Sequence, residues 1–171
     1  TTRRFSGKKG ADLHPMVRWL VENHEFGRVV GMLDLPSIKT RKEDQPLLLN
    51  YMSALTMLGR INELESLVND KDVLLPKSTR DFYQAHLAMI KGADRDTLKR
   101  RLSAARVSAL SDGQAEMLLN LGVYCTDKLN DFYDIALDCF RDVATTISSV
   151  RLERRAFEGW IRCARMAGDT E

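Results

Sequence analysis

One apolar pattern restarts five times along this chain, at Leu13, Leu48, Phe82, Leu118 and Phe157, at intervals of 35, 34, 36 and 39 residues. Each restart reads as a helix. Leu48-x2-Tyr51-Met52-x2-Leu55 puts its apolar residues three and four apart, the spacing of one helical face. Nine residues after Leu55 a second apolar face opens at Leu64-x3-Val68, with Gly59 between the two and Pro76 beyond. Glycine takes the left-handed conformation that ends a helix, and proline does not continue one. The stretch Leu58–Pro76 therefore reads as the turn and second helix of a helical hairpin. A single hairpin cannot bury both of its faces, so recurrence at this period predicts hairpins stacked side by side.

The same nine-residue step separates Leu20 from Val29 and Met89 from Leu98; from Cys125 to Ala136 it is two residues longer. Taken in order, the pattern predicts nine helices and no strand. The first is capped by Asp12, with Pro15 in its opening turn, and turns at Asn23-His24-Glu25 into a second, from Phe26 to about Asp34-Leu35-Pro36. Ser37 to Asp44 reads as a loop or a frayed helix start. The third helix begins near Pro46, and Gly59 separates it from the fourth. Ser78 or Thr79 caps the fifth, which Gly92 ends. Asp94 or Asp96 opens the sixth, to about Val107. The seventh runs from Gln114 to about Thr126 with Ser111 and Asp112 as cap candidates, and the eighth starts at Asn130 or Asp131. The ninth, from Leu152 to Ala167, is stopped by Gly168.

Composition fits a helical globular chain: 44% hydrophobic, 29% charged and a net charge of +2, too small in itself to imply nucleic acid. The three cysteines, Cys125, Cys139 and Cys163, form no CxxC pair and sit among apolar helical residues, which reads as buried thiols of a reducing compartment. No apolar run approaches the ~20 residues of a membrane span. Residues 1–11 read as a flexible lead-in, basic through Arg3, Arg4, Lys8 and Lys9, of the kind that also flanks membrane spans on their cytoplasmic side. The expected setting is the cytoplasm or the cytoplasmic side of a membrane. The chain opens without Met and closes at Gly168-Asp169-Thr170-Glu171, as a fragment of a longer protein would.

The paired patterns resemble the tetratricopeptide repeat, W-x2-L-G-x2-Y, then A-x3-F, then P, with Leu118-x2-Leu121-Gly122-x2-Cys125 followed by Ala136-x3-Phe140 the best copy and Pro76 in the proline position. The resemblance covers residues 12–168 and is degenerate: Met52 and His86 stand where small residues are usual. It implies an all-α, right-handed α-solenoid of about four and a half repeats over residues 12–171. The unequal intervals also suit a related helical-hairpin solenoid, and a non-repeat helical bundle is the third alternative.

In that family the first helix of each pair lines a concave groove. The carried-over groove positions here are Arg18, Leu49, Ser53, Thr56, Tyr83, Leu87, Ile90, Leu119, Val123, Thr126, Arg162 and Arg165. A strip that is apolar in the middle and flanked by arginines suits an amphipathic helix or an extended apolar peptide. The family's carboxylate-clamp residues are absent apart from Asn50. Phe157, Trp160 and Ala164 form an exposed apolar edge, suited to a dimer contact or to further repeats. The acidic row Asp127, Asp131, Asp134, Asp138, Asp142 has helical spacing, and Lys99, Arg100, Arg101 and Arg106 lie on the helix expected beside it, which predicts partial charge complementarity.

No phosphate-binding, dinucleotide, GxSxG or HExxH motif is present, and His14, His24 and His86 are scattered over different pairs. The chain therefore reads as a noncatalytic scaffold or adaptor without metal or cofactor, binding a protein or peptide partner. The alternative is a regulatory or oligomerisation domain of a larger enzyme or membrane-anchored protein.

Overall fold

The computed structural model describes residues 10–129, 131–146 and 149–168, with side chains from Leu13 onward. These residues are all-α: α1 (Gly10–Glu22), α2 (Phe26–Met32), α3 (Leu35–Ile38), α4 (Gln45–Met57), α5 (Ile61–Asn69), α6 (Lys77–Ile90), α7 (Arg95–Ser111), α8 (Ala115–Tyr124), α9 (Tyr133–Thr146) and α10 (Val150–Ala167). A 3₁₀ turn at Lys42–Asp44 precedes α4, and a π turn at Cys125–Leu129 extends α8. No strand occurs among the described residues, and none of their helices is long and apolar enough to cross a membrane. The chain divides into two compact units between Leu75 and Pro76.

In the first unit α1, α2 and α4 pack on one another and α5 packs on α4. Val17, Val29, Leu47, Leu48, Met52, Leu55, Leu64 and Val68 are fully buried. In the second unit α6 pairs with α7, α8 with α9, and α10 lies against both α8 and α9. Its core runs through Leu102, Ala105, Leu118, Leu121, Cys125, Ala136, Phe140, Val143, Ala156 and Cys163.

Four helix ends are closed by one backbone device. His24, Gly59, Gly92 and Gly113 all have φ between 59° and 67°. In each case the next residue donates its N–H to the carbonyl five residues back: Glu25 to Leu20 at 2.8 Å, Arg60 to Leu55 at 2.9 Å, Ala93 to Ala88 at 2.9 Å and Gln114 to Ala109 at 2.8 Å. This is the Schellman closure, which satisfies carbonyls orphaned at the end of a helix and reverses the chain within three residues. Three of the four use glycine; His24 takes the same conformation with a side chain.

Several boundaries differ from the sequence expectation. Gly10 and Ala11 already belong to α1, so Asp12 lies inside the helix rather than capping it; residues 1–9 of the basic lead-in, and Asn130, lie outside the described residues. Pro36 stands in the first turn of the short helix α3 instead of ending α2, since a first-turn proline forfeits no intrahelical hydrogen bond. With α3, the described helices number ten rather than nine. Ser78 and Thr79 lie within the buried first turn of α6, and the cap arrives from afar: the Ser78 N–H donates to Asp112 Oδ2 at 3.2 Å. Asp112 is thereby spent on α6 rather than α8, and hydrogen bonding from Ser78 holds its carboxyl below the usual carboxylate range. α7 runs on to Ser111, four residues past the expected end at Val107. Asp94 does cap α7, accepting from the Thr97 N–H at 2.8 Å.

The two charged rows meet as the sequence predicts. Arg95 pairs with Asp131 at 2.7 Å, Lys99 with Asp134 at 2.7 Å, and Arg106 reaches Asp138 at 2.8 Å and Asp142 at 2.7 Å. The Lys99 ammonium holds the Asp134 carboxyl below its ordinary range. The outer two rungs are exposed and worth at most about 1 kcal/mol each; Arg106 is half-buried between its two carboxylates, where loss of one partner costs more. Arg101 turns away to Gln84, and Arg100 stays on its own helix with Thr97.

A candidate partner-binding cleft

A concavity of about 220 Å³ opens in the second unit between α8 and α10. Its floor is the ring of Phe140, which fits against two glycines. A Cβ built on Gly122 of α8 would lie 2.8 Å from the ring, and one on Gly159 of α10 only 2.5 Å, so both helices approach α9 as closely as they do because neither carries a side chain there. Val123, Thr126 and Asp127 form one wall, Arg155, Glu158 and Arg162 the other.

The walls combine an apolar surface with cations. Val123 is 43% exposed. Thr126 is buried and donates its hydroxyl to the Gly122 carbonyl at 2.9 Å. The π turn brings Asp127 to the cleft, where the Arg162 guanidinium lies 3.0 Å from Oδ1, an ion pair without hydrogen-bond alignment. Glu158 is paired with Arg154 at 2.9 Å. Arg155 has no ionic partner among the described residues, which leaves one unneutralised cation in the wall. Of the sequence-predicted groove residues, the structure thus brings Val123, Thr126 and Arg162 into one site. Arg155, Glu158 and Gly159 are additions, and α10's helical periodicity, with Arg155 seven residues before Arg162, was the available signal.

The remaining predicted residues are dispersed. Ile90 is 41% exposed near the end of α6, Tyr83 is partly buried, and burial pushes its phenol up to about 12. Leu87 and Leu119 are buried, so a bound segment cannot reach them. Arg165 is exposed on α10 outside the cleft lining. In the first unit Arg18 is exposed and pairs with Glu22, Leu49 is exposed, and Ser53 and Thr56 are half-buried, Thr56 donating to the Met52 carbonyl. Phe157 and Trp160 are both partly exposed, with Ala164 half-buried beside them.

A second concavity, about 440 Å³, lies in the first unit beside Gly27 and Gly31 of α2, with Val30, Leu33, Tyr51 and Arg60 in its lining. A Cβ on either glycine would meet nothing within 4 Å. Its charged members are engaged within the fold: Arg60 grips Glu63 with two hydrogen bonds, and the Ser37 hydroxyl donates to Asp34.

Groups with reactive potential are packed inside. Burial pushes the Cys125 thiol up to about 12, Cys139 well above its ordinary value, and Cys163 upward. Thiols held in the protonated form are poor nucleophiles. His86 leans on the Tyr124 ring with centroids 5.7 Å apart; its Nε2 is buried without a hydrogen-bond partner, and burial lowers its pKa. Tyr124 in turn donates to Met89 Sδ. Among the described residues no group of three or more His, Cys, Asp or Glu is arranged to hold a metal ion. Comparison with protein-family models, curated proteins and solved structures gives no match.

Proposed function

We propose that this protein is a noncatalytic interaction module of tetratricopeptide-like helix pairs, which holds a peptide or helix of a partner protein in a groove lined by the first helices of its pairs. In the second unit those helices are α6, α8 and α10. The observation that carries this reading is the α8–α10 cleft, where Val123 and Arg162, predicted from different pairs, line one concavity together with the unpaired Arg155. A preformed cleft with an apolar wall and fixed cations binds by shape and charge without ordering a loop.

The repeat assignment draws support from contacts between adjacent pairs. Hydrogen-bonded partners recur at a separation near one repeat: Ser78 with Asp112 at 34 residues, Met89 with Tyr124 at 35, Lys99 with Asp134 at 35, Arg95 with Asp131 at 36 and Arg106 with Asp142 at 36. Equivalent positions of neighbouring pairs meet at this spacing when pairs stack in register. A right-handed solenoid is the arrangement that follows from such stacking in the family.

Affinity capture with the folded chain tests the function. Val123→Glu combined with Arg155→Glu reverses the cleft's character at two exposed side chains and is expected to lose the captured partner while helical circular dichroism stays unchanged. Recovery of the same partner at the same yield by this variant rejects the cleft as the working surface.

A further inference from the structure

α10 leaves one of its faces open. Ala156 and Cys163 are fully buried, whereas Val150 is 83% exposed, Ile161 54%, Phe157 45% and Trp160 38%. The Phe157 and Trp160 rings stack with centroids 6.2 Å apart and 13° between their planes. Val150, Phe157 and Ala164 recur every seven residues, with Trp160 between the last two. A seven-residue recurrence is the seam that one helix presents along its length to another, and the small Ala164 permits close approach at one end. Beside the seam run Arg151, Arg154 and Arg165. Arg154 shares its charge with Glu158 at an exposed pair, and Arg151 and Arg165 have no ionic partner among the described residues. None of these seam and margin residues lines the α8–α10 cleft, so the face is a second surface, separate from the one described above.

We propose that this face docks an amphipathic helix of another protein, one whose apolar seam is bordered by Asp and Glu. Two observations select that occupant, and two alternatives match less well. The arginine margin calls for carboxylates, which guanidinium groups grip in a planar, two-pronged geometry. The same unit already joins two helices in this manner, α7 meeting α9 through Arg95–Asp131, Lys99–Asp134 and Arg106 with its two aspartates. A second copy of the chain is the poorer match: the acidic row of its α9 is occupied by α7, and its α10 carries five arginines against only two glutamates, Glu153 and Glu158. An anionic bilayer is poorer as well. An interfacial helix sinks its apolar face about 5–10 Å into the lipid, while Phe157 and Trp160 are more than half covered by their own fold and Glu153 and Glu158 share the helix.

The test uses the whole chain carrying Trp19→Phe, which leaves Trp160 as the single tryptophan. It is titrated with a three-heptad synthetic helix having a leucine seam and glutamate margins, with the same helix bearing lysine margins, and with mixed phosphatidylcholine–phosphatidylserine vesicles. The glutamate helix is expected to shift Trp160 emission to the blue and to bind at least about tenfold more tightly than the lysine helix. Ile161→Asp is expected to abolish binding, and Arg154→Glu with Arg165→Glu to reverse the preference between the two helices. Equal affinity for both helices, failure of the glutamate helix to bind, binding that survives Ile161→Asp, or a shift with vesicles alone overturns the proposal. So does concentration-dependent self-association in light scattering that Ile161→Asp removes while the glutamate helix leaves it unaffected. Circular dichroism checks the fold of each variant; should Ile161→Asp unfold the chain, the charge reversal, made on exposed side chains, decides alone. Val123 and Arg155 are unaltered throughout, so capture in the cleft and docking on α10 succeed or fail separately.

Discussion

The ring of Phe140 occupies space that Gly122 and Gly159 leave by having no side chain, and the three residues stand on three different helices. A methyl group at Gly159 would intrude to 2.5 Å of the ring, so Gly159→Ala is expected to cost about 1–3 kcal/mol, read as a lower urea midpoint, with Phe140→Leu in the same chain restoring part of the loss. Gly122 and Phe140 stand out in the sequence through the repeat resemblance. Gly159 is not, because its reason lies on another helix. His86 makes a second residue-scale prediction. Burial holds its imidazole below the ordinary 6.5, so the unfolded chain takes up the proton first as pH falls. Stability contributed by the neutral ring is present above about pH 6.5 and declines below it until the lowered folded value is passed. The urea midpoint is expected to fall between about pH 7.5 and about pH 5.5, and His86→Leu to flatten that change, since it removes the titrating group. An equal pH slope in the variant would assign the effect elsewhere.

Among the helices, glycine has opposite meanings according to where it stands. Gly59 and Gly92 are at positive φ in hairpin turns, whereas Gly27 and Gly31 are inside α2 with open space where a Cβ would be. Gly59→Ala and Gly92→Ala are each expected to destabilise by about 1 kcal/mol through left-handed strain. Gly27→Ala and Gly31→Ala are each expected to stabilise by about 0.5–1 kcal/mol through helix propensity. Thermal unfolding of the four variants under one condition checks the sign in each case. Helix identity was readable from the apolar spacing and these turns, and the α7–α9 charge pairing from two helical rows. Other features depended on partners remote in sequence. Ser78 looks like a cap until Asp112 supplies the cap from 34 residues away. Leu87 and Leu119 come forward as groove residues through the repeat resemblance, while the neighbouring helices decide which of the carried-over positions are covered.

The whole molecule is two compact units, and the second has its own continuous core from Ala85 to Cys163. Residues 76–171 expressed alone are therefore expected to fold, with a single cooperative urea transition; a noncooperative transition or loss of helical signal would show that this core is insufficient. The apolar period near 35 residues, read from the chain, matches the 34 to 36 residues that separate hydrogen-bonded partners in the second unit. The cleft was legible only in part: Val123 and Arg162 follow from the register, but the lining by Arg155, Glu158 and Gly159 depends on the angle at which α10 crosses its neighbours. The four backbone closures at His24, Gly59, Gly92 and Gly113 have a further consequence during synthesis. Each is complete within six residues and uses no contact from later in the chain. A turn can thus set the direction of the next helix soon after leaving the ribosome, and low loop-closure entropy makes that order of assembly a fast one.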